Sequence, residues 1–275
     1  MKIAVCIKKI PDPEIPPAKF RLDDQAMKVF PPEGIPPVIN PYDAQAVELA
    51  LRLKDSHGSH VTVLSLVEDD DSSVIRHALA MGADEGIALN DPAFFCSDSF
   101  AQAHILSKAV QKIASCDLIM CGRQAADWDE GLVGALLAEE LGFPLVTLAF
   151  EVDLVSGQLL VKRTTMDGHQ IFEMPVPAVI TVGSGVGQPR LPSGWGIIAA
   201  SQKKILTWDA AETGVDSSRT GEGASRRRLI KLYAPEKSRE CRILSGETTA
   251  EAAALLAEEL AKTGIIQYPP QEKTR

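Results

Sequence analysis

The residues best placed to do chemistry fall in one run, from Asp117 to Gly134. Its opening, Leu118 to Cys121, is a short apolar stretch that reads as a buried parallel strand. It breaks at Gly122, and helical apolar periodicity resumes from Leu132 to Leu141. In an open α/β sheet, ligands sit where a strand's carboxyl end runs into a helix start. Free backbone N–H groups and the helix dipole favour an anion such as phosphate there. The connecting loop, Gly122, Arg123, Gln124, Ala125, Ala126, Asp127, Trp128, Asp129, Glu130, Gly131, Leu132 and Val133, is therefore a candidate nucleotide cradle. A second reading stays open, because any strand-to-helix turn uses a glycine and acids near the helix start. The loop matches neither the Rossmann glycine fingerprint nor the P-loop.

Other chemistry finds little support. No nucleophile–base pair stands out, and the neighbourhood Asp167, Gly168, His169 reads as a hairpin turn. His57 and His60 flank a Gly-Ser turn without a suggested acid or cysteine partner, which argues for a solvated turn rather than a metal site. Cys6, Cys96, Cys116, Cys121 and Cys241 are odd in number and scattered, with no Cys-x-x-Cys pair, which suits reduced thiols in a cytoplasm. A net charge of −9 argues against nucleic-acid binding, and the triplet Arg226, Arg227, Arg228 reads as a solvated strand end. No signal-peptide pattern and no apolar run long enough for a membrane helix are present, so the expectation is a soluble intracellular protein.

The elements that must position the cradle read as follows. Residues 2–8 form a first buried strand, ended by Lys8, Lys9, Ile10 and Pro11 at its carboxyl end. A proline-rich stretch, about 14–37, reads as a β-hairpin excursion with pieces at 19–22 and 27–30. Asn40 as N-cap, Pro41 at the first position and Asp43 in the first turn predict a helix to about Lys54. Strand 61–67, helix 71–81, strand 86–89, helix 100–114 and strand 118–121 follow. That alternation predicts a parallel sheet with helices on both faces and the first and 118–121 strands adjacent at a switch point. Alternating stretches at 145–154, 158–165 and 170–174 predict an antiparallel extension, and 176–182 another buried strand. A glycine-rich loop leads to a helix at 197–202, 210–224 reads as a linker, 226–228 opens a last strand, and 248–263 is an amphipathic helix. The fold class is α/β, a doubly wound, mostly parallel sheet with a C-terminal arm. The expected division is a nucleotide-binding domain over 1–206 and a linker and arm over 207–275.

In this order the chain resembles the beta subunit of electron transfer flavoprotein over nearly its full length. The residues that carry the resemblance run from Cys6 to Asp12, Asn40 to Asp43, Ala78 to Asp84, Gly122 to Asp127, Leu137 to Gly142 and Pro177 to Val182. Each block is weak alone; their joint order and separation are specific. The resemblance implies an adenine-nucleotide alpha hydrolase-like α/β domain paired with an FAD-bearing alpha subunit. Such heterodimers are electron carriers rather than stand-alone enzymes, shuttling electrons between acyl-CoA dehydrogenase-type flavoenzymes and a downstream acceptor. It also implies AMP in this subunit, or a second FAD exchanging hydride with NADH in electron-bifurcating members. Carried over by position, Cys6 lines the site through its backbone, Asn40, Pro41, Tyr42 and Asp43 meet the adenosine, Leu66 faces the ligand, and Gly122 to Val133 wrap the phosphates. Arg123 is open to reading as a phosphate contact or an exposed loop residue.

Two departures stand out. At 128 the AMP-type relatives tend to have Asp and bifurcating ones Gly, whereas this chain has Trp128, which suits covering adenosine, stacking on flavin, or packing at the subunit interface. The small-polar pattern that follows in bifurcating members is absent here, which favours AMP. In the partner-docking loop, about 183–204, Gly194 and Trp195 stand where Leu-Pro is usual, and Ala199 to Gln202 thin out the lysines. Gly194, Trp195, Ile197 and Ile198 are the candidate docking residues, with Trp195 either a partner anchor or packed within the chain. A nucleotide-binding regulatory protein of this architecture is a competing reading. An adenylating enzyme fits poorly, because Lys8 to Asp12 lacks the glycines of a pyrophosphate loop.

Overall fold

The computed structural model describes residues 1–23, 25, 27–68, 71–234 and 241–266. The chain divides into two compact units, Met1–Leu232 and Tyr233–Arg275. The first unit opens with β1 (Lys2–Cys6), whose residues are buried on both faces after Lys2. Ile3 and Val5 point into one apolar cluster, Ala4 and Cys6 into a second, as the period of two requires of a strand covered on both sides.

Two small antiparallel pieces follow: β2 (Lys9–Ile10) with β5 (Val38–Ile39), enclosing β3 (Arg21–Asp23) with β4 (Lys28–Phe30). Asp24, within the expected hairpin, lies outside the described residues. The classical alternation then begins: α1 (Pro41–His57), β6 (His60–Leu66), α2 (Ser73–Met81), β7 (Glu85–Leu89), α3 (Ser99–Lys112), β8 (Leu118–Gly122) and α4 (Val133–Leu141). A meander, β9 (Leu145–Val155), β10 (Gln158–Thr165) and β11 (Gly168–Met174), precedes β12 (Ala178–Val182), α5 (Gly194–Gln202) and β13 (Leu206–Trp208). Short helices α6 (Ala210–Thr213) and α7 (Gly221–Ala224) close the unit's regular structure.

Among the described residues the main sheet has nine strands in the order β11-β10-β9-β12-β8-β1-β6-β7-β13. It is parallel from β9 through β12 to β13 and antiparallel across β9, β10 and β11. From β1 the chain winds outward through β6 and β7, then returns to β8 on the other side, so the switch point lies between β1 and β8. Residues of α1, α2 and α5 share the apolar cluster on one sheet face, and residues of α3 and α4 share that on the other. The doubly wound expectation holds, antiparallel extension included.

Four expectations need correction. The first unit reaches Leu232 rather than 206, because β13 adds to the sheet beside β7 and Lys112 lies 4.4 Å from the Trp208 ring centroid. The stretch 210–224 is structured: Asp209 and Glu212 form a reciprocal capping box for α6, and Arg219 pairs with Glu140. Arg226 to Arg228 do not form a strand; the amides of Arg226 and Arg227 donate to the Asp98 carboxylate instead of to a sheet neighbour. The two turn histidines do meet acids, His57 with Asp153 at 2.7 Å and His60 beside Asp84 at 3.7 Å.

The second unit contains α8 (Thr249–Lys262), capped by Thr248 and bordered by an Arg242–Glu259 ion pair at 2.7 Å. Leu255 and Leu256 are exposed on it. Among the described residues no helix is long and apolar enough to cross a membrane.

Candidate functional site

At the switch point, the carboxyl ends of β8, β1 and β6 lie side by side, with Cys6 in register with Cys121 and Leu64. This edge gathers the sequence-predicted residues: Cys6 ends β1, Asn40 to Asp43 open α1, Leu66 ends β6, and Gly122 to Val133 connect β8 to α4. The order of strands brings them together; sequence distance alone does not.

Asp43 is the tie. It is buried, and its carboxylate accepts the Lys8 N–H at 2.8 Å with one oxygen and the Gly122 N–H at 2.9 Å with the other. One side chain therefore fixes the ends of β1 and β8 to the start of α1. Burial pushes its pKa from an ordinary 3.8 to about 7, against the opposing pull of hydrogen bonds from Asn40, Lys8 and Gly122. Gly122 must be glycine for this approach, since a Cβ would stand 2.4 Å from Asp43 Oδ1 and 2.8 Å from the Asp43 nitrogen. The sequence reading treated Asp43 as a first-turn acid beside the ligand and missed the tie. The signal was available: Asp43 lies on the same helical stripe as buried Ala46, Val47 and Ala50.

Asn40 stands at the N-cap position, with Pro41 first in the helix, but its side chain makes no capping bond. It is buried and bonds the cradle instead, donating Nδ2–H to the Gln124 carbonyl at 2.8 Å and accepting the Ala126 N–H at 3.1 Å. The expected helix start is right; the cap is spent on the loop. A side-chain cap is missing from α4 as well, whose N-cap position is Leu132. Neither helix thus has a side-chain cap, as is also true of α2, while α3, α5 and α8 have theirs from Asp98, Ser193 and Thr248.

The loop's three acids are all engaged. Asp127 pairs with Lys8 at 2.6 Å, Asp129 accepts from Gln124 Nε2 at 2.6 Å, and Glu130 pairs with Arg227 at 2.6 Å and accepts from the Ser99 hydroxyl. The caps suggested for these residues by the plain-turn reading do not form; Asp127 neutralises a lysine instead. Arg123 is half-buried, its guanidinium 5.1 Å from the Tyr42 ring centroid and donating to Gln124 Oε1 at 3.0 Å. Trp128 is 56% exposed at the loop's tip. The Cys6 thiol bonds Cys121 and is buried, both of which hold its pKa well above the ordinary range. Leu66 is half-buried beside the second apolar cluster.

The docking candidates sit apart, on α5. Gly196 lets this helix press on α2, since a Cβ there would stand 2.4 Å from the Ala80 carbonyl oxygen. The opposite face is bare: Trp195 is 83% exposed, with Ile197, Ile198 and the preceding Leu191 also exposed, and Gly194 opens the helix. Within the first unit's described residues Trp195 is thus largely unpacked. The loop before α5 is anchored by Arg190, which bonds the buried Glu48 of α1 through Nε at 2.8 Å and its own N–H at 3.1 Å, and reaches Asp55 at 2.8 Å. Burial alone would raise the Glu48 pKa, but the bonds from Arg190 and Arg52 outweigh it and hold the carboxyl below its ordinary range. Sequence reasoning also passed over His104, buried in α3 with Nδ1 3.2 Å from Glu140.

A family model described as the electron transfer flavoprotein domain matches residues 29–213. The chain is 38% identical over 269 residues to an electron transfer flavoprotein subunit beta of Thermoanaerobacterium thermosaccharolyticum, covering 97% of this chain and 100% of the relative. It is 32% identical over 267 residues to the caffeyl-CoA reductase-Etf complex subunit CarD of Acetobacterium woodii, covering 97% and 100%. Protein FixA of Azorhizobium caulinodans is 32% identical over 267 residues, covering 94% and 93%.

Proposed function

The chain belongs to the electron transfer flavoprotein family, with the electron-transfer role of its beta subunits, and from that premise we propose that it holds AMP at the switch point and pairs with an FAD-bearing alpha subunit. The observation that carries this reading is the spending of side chains at the edge. Asn40 and Asp43 are consumed in fixing the loop, every loop acid is turned onto a partner, and the starts of α1 and α4 are left without side-chain caps. Such an edge offers an anion backbone N–H groups and two helix dipoles, with the loop's three carboxylates already engaged.

In this reading the amides of the cradle and of the α4 start hold the phosphate, and Arg123 adds a charge-assisted bond. Tyr42 and the α1 start flank the adenosine, and the Cys6 backbone and Leu66 line the floor. Trp128, at the exposed tip, covers the nucleotide. FAD, when bound in the partner, supplies the redox chemistry, while this chain supplies binding, spacing and a docking face. That face is α5, with Trp195 as the anchor for an acyl-CoA dehydrogenase-type flavoenzyme. The arm that includes α8, with Leu255 and Leu256 exposed, packs on the alpha subunit.

The test is extraction and mass analysis of the ligands that co-purify with the alpha–beta complex, beside its visible spectrum. One FAD and one AMP per complex is the expected result. Two flavins would replace AMP by FAD in this subunit and make the complex a bifurcating one. No nucleotide beyond the partner's flavin would overturn the reading of the edge.

A further inference from the structure

Glu130 is turned to the start of α3. Its carboxylate accepts from the hydroxyl of Ser99, a buried residue in the first turn of α3, and pairs with Arg227. Beside it, Asp98 uses one oxygen to cap α3 and the other to accept the amides of Arg226 and Arg227, at 2.6 and 3.2 Å. The Arg226 guanidinium lies 4.6 Å from the ring centroid of Phe100. The opening turn of α3 therefore holds the descending limb of the cradle through Ser99 and the arginine segment through Asp98, and the Glu130–Arg227 pair joins those two directly. Past the arginines, the first unit ends at Leu232.

We propose that this junction couples occupancy of the cradle to the arginine segment, with Glu130 as a positioning residue. A seated nucleotide fixes Glu130 where it grips Arg227, and an empty cradle loosens both. The inference rests on the nucleotide reading above. Its physical basis is the stiffness of the loop between the two places. Only Gly131 separates Glu130 from Leu132, the N-cap position of α4. Asp129 takes φ +51°, held by its own N–H to the Ala125 carbonyl at 2.8 Å and by Gln124 on its carboxylate, and Gly131 takes φ +64°. These two left-handed residues flank Glu130 and fix its backbone, so amides that close on a phosphate carry Glu130 with them.

Arg226, Arg227 and Arg228 are consecutive tryptic sites, so limited trypsin digestion of the alpha–beta complex reads the release of the segment directly. With the complex stripped of nucleotide and refilled with AMP, cleavage at these sites should slow about fivefold, the scale expected for a partly exposed ion pair. Arg227→Gln lies outside the cradle and, because the coupling is reciprocal, should weaken AMP binding, followed by equilibrium dialysis, by no more than about the same fivefold. Its remaining sites at Arg226 and Arg228 should be cut as fast with AMP as without. Glu130→Gln, whatever its effect on AMP affinity, should likewise be cut as fast with saturating AMP as without, and Glu130→Arg combined with Arg227→Glu should restore part of the protection, which a merely structural role would not. A wild-type complex that binds AMP without protecting these sites overturns the coupling and leaves the nucleotide reading standing. A complex that fails to bind AMP at all overturns that reading, and the coupling with it.

Discussion

The switch-point edge and the outer face of α5 belong to the same unit, and they are built on opposite terms. At the edge the polar side chains are buried and satisfied by the protein itself: Asp43 and Asn40 meet Lys8, Gly122, Gln124 and Ala126. On the outer face of α5 and the loop before it, apolar side chains are exposed, Trp195 at 83% and Leu191 at 82%. A small anionic ligand needs donors held at fixed places, and fixed places come from buried hydrogen bonds that any deletion leaves unmatched. A protein partner needs apolar area that can be covered and uncovered, and that calls for a rigid helix with a bare side. Damage at the edge should therefore appear as lost stability together with lost ligand, and damage on α5 as lost transfer alone.

The strongest way to break that contrast is Gly122→Ala. The new Cβ would meet Asp43 Oδ1 at 2.4 Å and Tyr42 Cβ at 2.7 Å, and backbone on one side leaves no flexible end to yield. A cost of about 3 kcal/mol is expected, in the range of overpacked cores, with AMP no longer retained on purification. Chemical denaturation of the complex and ligand extraction measure both. An alanine variant of ordinary stability that keeps its AMP would mean the edge is not rigid.

Next in size is Asp43→Asn, which keeps the shape but turns an amide NH2 towards a backbone N–H. About 2 kcal/mol of stability should be lost. The pH dependence sharpens the test. With the native pKa near 7 and the unfolded one near 3.8, the folded chain retains a proton that the unfolded chain has released across that window. Wild-type stability should accordingly fall as pH rises from about 4 to about 7 and level off above, and the asparagine variant should lack that component. AMP affinity should run the other way, weakening below pH 7 as the protonated carboxyl keeps one good acceptor for two amides. Melting temperatures and equilibrium dialysis at pH 5.5 and 8 separate the trends.

Arg190→Ala tests whether the second region also depends on a buried polar tie. Glu48 would keep Arg52, at 3.0 Å, but lose the Arg190 side-chain bonds that hold the loop before α5. A loss of about 1.5 kcal/mol is expected, as for hydrogen bonds to a charged group. Hydrogen exchange should quicken across 184–193 and leave the cradle unaffected. Exchange that quickened equally in both regions would dissolve the distinction between them.

Much of this was legible in the sequence because the local signals agree. Asn40-Pro41, the apolar run before Gly122 and the period-two stretches after Pro144 each specify an element, and the alternation specifies the winding. What the sequence did not show is where polar groups spend their bonds. Asn40 has the right type and place for an N-cap, yet its side chain reaches a loop 84 residues away. The run 210–224 is small and polar, as linkers are, and only the capping box of Asp209 with Glu212 and the Arg219–Glu140 pair reveal its order. Arg226 to Arg228 looked like a strand end because their tie, Asp98, is remote in sequence. Long-range pairings of this kind have no period to read.

The smallest effect on stability, and the cleanest test of the second region, is expected from Trp195→Ala. A side chain 83% exposed has little packing to lose, so stability should stay within about 0.5 kcal/mol of wild type. AMP content should be unchanged, since α5 stands apart from the cradle. The effect should fall on the encounter: a buried tryptophan anchor is worth about 2 kcal/mol or more at an interface, which converts to a slowing of electron transfer of about thirtyfold at sub-saturating partner. Saturating partner should restore much of the rate, because the variant loses affinity rather than the path between flavins. Stopped-flow reduction of the complex over a range of partner concentrations reads both limits. Unchanged kinetics at low partner concentration would strip α5 of its docking role and leave its bare face without a purpose in transfer, while a rate lost equally at saturation would place Trp195 in the electron path instead.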